Sequence, residues 1–328
     1  MLIIKTVIMP LKPMIKYRGG KSREISTLIW QIPHFRGRYI EPFFGGGALF
    51  FHLEPREAII NDINKKLMGF YDGVRNQYDS LRKELDELEE LYAINRAEFD
   101  KLKVKHPNEK VEDRNEDLYY HLRNQYNGIE KKMYSEALLY YYINKTAYSG
   151  MIRYNAQGDF NVPFGRYKSL NTKSVSLLHS KLLQRASLFN LDYSEIFNMS
   201  ENDDFIFLDP PYDCIFSDYG NVTYREDGFN EDEHRRLAED FKNLSCKTLM
   251  VIGKTSLTEE LYRNYIQDEY KKNYAVNIRN RFKSSATHII VANYKRDLAH
   301  LEPVEYENVP EITQLLAFER QKEYGKRK

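Results

Sequence analysis

This chain of 328 residues is short of several things, and each shortage narrows what it does. It has two cysteines, Cys214 and Cys246, too few for a disulfide framework and in keeping with a reducing, intracellular setting. No apolar run approaches the roughly 20 residues that a spanning helix needs, so a membrane is not among the expected partners. The opening MLIIKTVIMP is too short for a signal peptide and lacks a small-residue cleavage site. Charge of one sign is also missing. Lys and Arg number 49 against 48 Asp and Glu, a net +1, so any nucleic-acid footprint has to be local. Tryptophan occurs once, whereas tyrosine (26) and phenylalanine (18) are plentiful. No metal site is expected.

What is present is an alternation. RYIEPF (38–43), EAIIND (57–62), ASLFNLD (186–192), FIFLD (205–209), KTLMVIG (247–253) and HIIVANY (288–294) read as strands. Helical patterns begin near Gly46, run from about Asn64 to Leu91, and return around 229–244 and 257–266. Strands alternating with helices imply an α/β class with a mostly parallel sheet covered on both faces. KVKHPNEKVEDRNED (103–117) has no apolar periodicity and reads as a loop or boundary. The expected division is 1–77 and 185–298 as two parts of one α/β core, 78–184 as an inserted domain, and 299–328 as a flexible, solvated tail.

YIEPFFGGGALFF (39–51) passes from strand to glycine turn to helix start. Glycines there let the backbone approach a ligand, and the helix N-terminus favours negative charge. Asp62 ends the next strand 21 residues after Glu41, where an acid in a doubly wound sheet can hold ribose hydroxyls. The loop is not the dinucleotide fingerprint, because Ala48, Leu49 and Phe50 follow the glycines. A simple packing turn is the competing explanation. IKYRGGKS (15–22) ends like a phosphate loop, yet Ile15 stands where that motif requires glycine. What remains is a flat ring with two cations, which a surface turn would also explain.

DFIFLDPPYD (204–213) sets Asp209 at the carboxyl end of a buried-type strand, where open α/β sheets place ligands. Pro210 and Pro211 stiffen the turn. The Asp209 carboxylate and the Pro210 carbonyl offer two acceptors, and an exocyclic –NH2 offers two donors. Tyr212 adds a face on which a base can stack, worth about 1–3 kcal/mol. An aromatic amine is a poor nucleophile because its lone pair is delocalised; two acceptors draw it toward tetrahedral geometry and stabilise positive charge on nitrogen. Asp209 need not remove a proton first. The alternative is a proline-stiffened turn with a capping acid.

Residues 121–190 hold ten Lys and Arg against Glu130, Glu136 and Asp159, a local charge of +7 that the whole-chain balance conceals. Tyr148, Tyr154, Phe160, Phe164 and Tyr167 are interleaved, with the reach to stack on bases or wedge between them, while Tyr140 to Tyr142 read as helix core. Arg153 and Arg166 suit bidentate reading of guanine, and Lys145 and Lys168 suit phosphates.

KYRGGK (16–21), EPFFGGG (41–47) and DPPY (209–212), in this order, resemble the Dam-type, alpha-arranged DNA N6-adenine methyltransferases. The resemblance extends from residue 14 to about 296, and NKTAYSGMIRYNAQGDFNVPFGRYK (144–168) is similar to that family's recognition hairpin. It implies a Rossmann-like S-adenosylmethionine-dependent methyltransferase sheet with an inserted, mainly helical target-recognition domain. It implies double-stranded DNA as partner and a cytoplasmic location, nucleoid-associated or in a host cell if viral. The expected state is a monomer or weak dimer, with or without a restriction endonuclease acting on the same site. Cofactor contacts are implied for Tyr17, Lys21, Glu41, Phe43, Gly45, Gly47, Asp62, Asp192 and Asp209, Asp192 by a loose match. DNA contacts are implied for Lys16, Tyr148, Ser149, Met151, Arg153, Asn155, Pro163, Arg166 and Tyr167. Tyr17 replaces a more usual Trp, and either ring can stack. Ser149 stands where GATC-reading members typically have Asn, and Ile152 lies in the same loop, so GATC and other short sites both stay open. The rival readings are methylation of cytosine N4, RNA or a protein amide, against which Asp209 and the hairpin argue, and a DNA-binding protein without catalysis.

Overall fold

The computed structural model describes residues 10–150, 152–212, 229–273 and 285–295. A short helix α1 (Ile25–Leu28) precedes β1 (Tyr39–Glu41), α2 (Ala48–Leu53), β2 (Ala58–Asn61) and α3 (Lys65–Asn76). Three longer helices follow, α4 (Tyr78–Lys105), α5 (Arg114–Tyr126) and α6 (Glu136–Thr146). The chain returns through α7 (Leu177–Leu183), β3 (Ala186–Phe189), α8 (Tyr193–Asn198) and β4 (Phe205–Leu208). It closes with α9 (Glu231–Lys242), β5 (Lys247–Gly253), α10 (Ser256–Tyr262), β6 (Ile266–Asn273) and β7 (Ser285–Ala292).

The seven strands form one sheet in the order β3-β2-β1-β4-β5-β7-β6. The first five are parallel, and β7 runs antiparallel to both its neighbours. This is the expected Rossmann-like arrangement. The central strands are apolar runs because both faces are covered. On one face Tyr39, Ile60, Phe205, Phe207 and Val251 pack toward α3 and α6; on the other Ile40, Ile59, Ile206, Leu208 and Met250 pack toward α8, α9 and α10. The first cluster continues without a break into Tyr119, Tyr140, Tyr141, Tyr142, Phe160, Val162 and Phe164. Chain order reverses between β1 and β4, so the crevice of a doubly wound sheet opens at their carboxyl ends.

Some expectations need correction. The helical run from Asn64 breaks at Gln77, and its second half extends to Lys105. The polar segment 103–117 is a loop only between that point and Asp113, whose side chain caps α5 by accepting from Asn115 N. Strand β6 (IQDEYKKN) went unseen because it has no apolar run; it is a polar edge strand paired only to β7. Ile266, expected to end a helix, begins that strand. Cys214, Met151 and the tail 299–328 lie outside the described residues. Among the described residues no helix is long and apolar enough to cross a membrane, and no group of His, Cys, Asp or Glu is placed to hold a metal ion.

Candidate active site

The crevice is built by the turns that leave β1, β2 and β4. After β1 the chain bends through Gly45 (φ 48°) and Gly47 (φ 62°), left-handed values that favour glycine. A Cβ on Gly45 would lie 2.6 Å from Tyr17 Cε1, and one on Gly46 would lie 2.9 Å from Tyr17 Cβ. The ring of Tyr17 thus lies directly on the glycine turn. Asp62, buried at the end of β2, accepts from Gly45 N and Asn64 N, both at 2.9 Å. Burial raises its carboxyl to about 6 even though both backbone donors favour the anion. Tyr71 donates to Gly45 O at 2.8 Å and fixes the turn from the other side.

Asn61, which the sequence did not single out, ties three turns together. Its amide donates to Pro42 O (3.0 Å) and Leu191 O (3.1 Å) and accepts from Leu191 N (2.8 Å). Glu41 is buried and bonded by the Tyr39 hydroxyl at 2.7 Å; burial pushes its carboxyl well above the usual range. Phe43 is half-buried against Tyr193 at 5.3 Å. Asp192 caps α8 through Ser194 N and is ion-paired with Arg236 of α9. Burial raises its carboxyl, but Arg236 and Ser194 outweigh that and hold it near about 2.

Beyond β4, Pro210 is buried and Pro211 exposed, so the turn projects Asp209 and Tyr212 into the crevice. Lys21 meets them there. Its ammonium, on a side chain only 2% exposed, lies 2.5 Å from Asp209 Oδ1 and 2.6 Å from the Tyr212 hydroxyl. Gly19 O accepts from the same ammonium at 3.1 Å, and the Tyr212 hydroxyl also approaches Asp209 Oδ1 at 3.3 Å. The N-terminal segment therefore joins the catalytic tetrapeptide directly, a contact across 188 residues of sequence that no local pattern reveals.

The same segment reaches the hairpin. Asn144 of α6 accepts from Lys16 N (2.9 Å) and donates to Lys16 O (2.7 Å), docking residues 14–21 onto the insert. Lys16 places its ammonium 4.0 Å above the Tyr167 ring and hydrogen-bonds Lys145 O. Tyr148 (46% exposed), Ser149 and Pro163 are exposed at the hairpin surface, and Ser149 (φ 56°) and Arg166 (φ 53°) hold left-handed backbone. Arg153 donates to Asn161 Oδ1 at 2.9 Å, and Arg166 forks onto Glu116 with two 3.0 Å bonds. The Asn155 side chain builds the hairpin turn by accepting from Gln157 N and Asp159 N. Burial lowers the Lys145 ammonium to about 8, with Lys16 adding to the shift. Phe160 (1% exposed) and Phe164 (5%) are core and present no face to a base, contrary to the sequence expectation. Tyr154 is half-buried and bonded to the Tyr126 hydroxyl at 2.8 Å.

An acid at each of two neighbouring strand ends, a glycine turn against an aromatic ring and a basic hairpin on the same segment suit transfer to an amino group of a nucleobase. Residues 17–278 match the family described as D12 class N6 adenine-specific DNA methyltransferase. The chain is 33% identical over 291 residues to Type II methyltransferase M.CviBI of Paramecium bursaria Chlorella virus NC1A, covering 87% of this chain and 100% of that one. It is 32% identical over 253 residues to Type II methyltransferase M.MjaIII of Methanocaldococcus jannaschii (72% and 81%), and 28% over 257 residues to the DNA adenine methylase of Salmonella typhi (77% and 84%). The chain belongs to the D12 class of N6 adenine-specific DNA methyltransferases.

Proposed function

We propose that this enzyme methylates N6 of an adenine flipped out of duplex DNA at one short site, with S-adenosylmethionine as donor. The observation that carries the reading is the meeting of Asp209, Tyr212 and Lys21 at the reversal point of the sheet, beside the glycine turn. The crevice fits the cofactor in kind. Gly45 and Gly46 leave room only for the Tyr17 ring against them, and Asp62 closes the end of β2 with a carboxylate for ribose hydroxyls. Tyr17, Lys21, Glu41, Phe43, Gly45, Gly47, Asp62 and Asp192 line or brace that side. When bound, the cofactor supplies an electrophilic methyl carbon on a sulfonium.

The chain's own residues do the rest. Asp209 and the Pro210 carbonyl accept the two N6 hydrogens and stabilise the positive charge that grows on nitrogen. Tyr212 stacks on the extruded base. Lys21 holds Asp209 and Tyr212 in register until the base arrives. Residues 78–184 form the recognition part; Lys16, Tyr148, Ser149, Met151, Arg153, Asn155, Pro163, Arg166 and Tyr167 read and grip the site, Asn155 through the turn that it builds. The Type II names of the viral and archaeal relatives favour a modification role beside an endonuclease of the same specificity. We place the enzyme in the cytoplasm, as a monomer or weak dimer.

Asp209→Asn should cut methyl transfer at least about a hundredfold while cofactor and DNA binding survive, because it removes an acceptor charge aimed at the transition state. Near-parental transfer would overturn the assignment. Tyr212→Ala should be far worse than Tyr212→Phe, which keeps the ring and loses only the bonds to Lys21 and Asp209. Equal damage would sink the stacking role.

A further inference from the structure

Behind the tetrapeptide lies a buried polar cluster that the proposed chemistry does not use. His288 of β7 is fully buried, and its ring meets Tyr212 edge-on at 5.0 Å. Its Nδ1 lies 3.3 Å from Glu24 Oε2 and 3.3 Å from the Tyr270 hydroxyl. Tyr270 donates to the same Glu24 oxygen, and its ring packs against His288 at 5.3 Å. Lys272 pairs with the other oxygen of Glu24. Glu24 in turn follows Lys21 by one helical turn, with Glu24 N bonded to Lys21 O at 2.8 Å. Burial alone would raise the Glu24 carboxyl; His288, Lys21, Lys272 and Tyr270 outweigh it and hold the group near about 2.

The cluster touches both partners of Asp209. Through its ring, His288 fixes the plane of Tyr212; through its backbone, Glu24 fixes the turn that carries Lys21. A burial this complete with an ionised carboxylate is costly unless the group is fully bonded, and the polar residues of edge strand β6 supply those bonds. A structural filler would need only an apolar side chain at His288, between Ile289 of the core and the Tyr212 ring. We infer that His288 and Glu24 are positioning residues, holding Tyr212 and Lys21 in the geometry that receives the amino base. This rests on the reading of Tyr212 and Asp209 given above.

The test is a double-mutant cycle read by single-turnover transfer of tritiated methyl from S-adenosylmethionine to unmethylated plasmid DNA. His288→Ala should slow transfer at least about tenfold, since small misplacements of a reacting group cost up to about a hundredfold, with the cofactor Kd within about threefold of the parent on the same grounds. His288→Phe, which keeps a ring edge toward Tyr212, should recover most of that loss. In a Tyr212→Ala background the His288→Ala change should have little further effect. If His288→Ala transfers within twofold of the parent, the inference fails. It fails too if the loss persists undiminished in the Tyr212→Ala background, or if His288→Phe recovers nothing while cofactor binding and thermal stability fall in step. Glu24→Gln, which keeps the acceptor for Tyr270 and lacks the charge, gives a second arm: its slowing should also vanish with Tyr212 and Lys21 removed together, and an undiminished loss there counts against the inference. Should the parent itself put no methyl on adenine, the functional reading falls, a result distinct from an active parent indifferent to His288.

Discussion

Lys21 has exchanged water for three acceptors, and that makes Asp209 a structural partner as well as a reacting one. Removing the carboxylate leaves a buried ammonium short of its counter-charge, which costs about 3–5 kcal/mol at a buried pair. Asp209→Ala should therefore lower Tm as well as abolish transfer, and the double change Asp209→Ala with Lys21→Met should recover Tm without recovering transfer. If the single change leaves Tm untouched, the pair is not the anchor described. Asp62 gives a pH test. Its folded value near about 6 lies above the usual 3.8, so its contribution to stability is present below the lower value and lost as pH rises through about 6. Cofactor affinity should run the opposite way, weakening as pH falls through about 6 and the acceptor is protonated. Asp62→Asn should flatten that profile; titration calorimetry from pH 5 to 8 checks it, and an affinity flat to pH 5 would count against the ribose contact. Asp209 and Asp62 were legible in the sequence because an acid ending an apolar strand is unusual. The partners of Asp209 were not, because the fold alone brings Lys21 across 188 residues to it.

Among the elements, the tyrosine excess finds its explanation. The recognition segment after α6 has few ladder bonds, and side-chain hydroxyls substitute for them. Tyr92 donates to Tyr167 O (2.6 Å), Tyr119 to Val162 O (2.8 Å) and Tyr141 to Asn171 O (2.7 Å). Asn127 brackets Phe160 with bonds to both its carbonyl and its N–H. Tyrosine is apolar in its ring and polar at its tip, so it packs in the core and still reaches a backbone carbonyl. Each Tyr→Phe change at 92 or 119 should cost about 1–3 kcal/mol by orphaning a buried carbonyl, read by chemical denaturation. Both should also relax discrimination between cognate and near-cognate DNA. No loss of stability would mean that water satisfies these carbonyls. Aromatic residues in this stretch look alike in sequence; only the packing separates the exposed Tyr148 from the buried Phe160 and Phe164. The strands were readable where both faces are apolar, and β6 was not, since its inward residues Tyr270 and Lys272 are polar groups committed to Glu24.

For the molecule as a whole, a near-neutral chain concentrates its positive charge where the hairpin lies. Helix α4 carries acids that act inward: Glu84 accepts from Ser135 N at 3.1 Å, the residue that caps α6, and Glu89 accepts from the Thr172 hydroxyl. The acids thus brace the insert from one side and leave the basic residues to meet DNA. Binding should weaken steeply with salt, and Lys168→Ala should lower the slope of log K against log salt by about one while leaving sequence preference unchanged. The measurement that bears most directly on the central claim is base-resolved sequencing of modified DNA from cells expressing this chain or its Asp209→Asn variant. The account predicts N6-methyladenine at a single short motif with the parent and its disappearance with the variant. N4-methylcytosine, or no modified base at all from a folded, cofactor-binding parent, would contradict it.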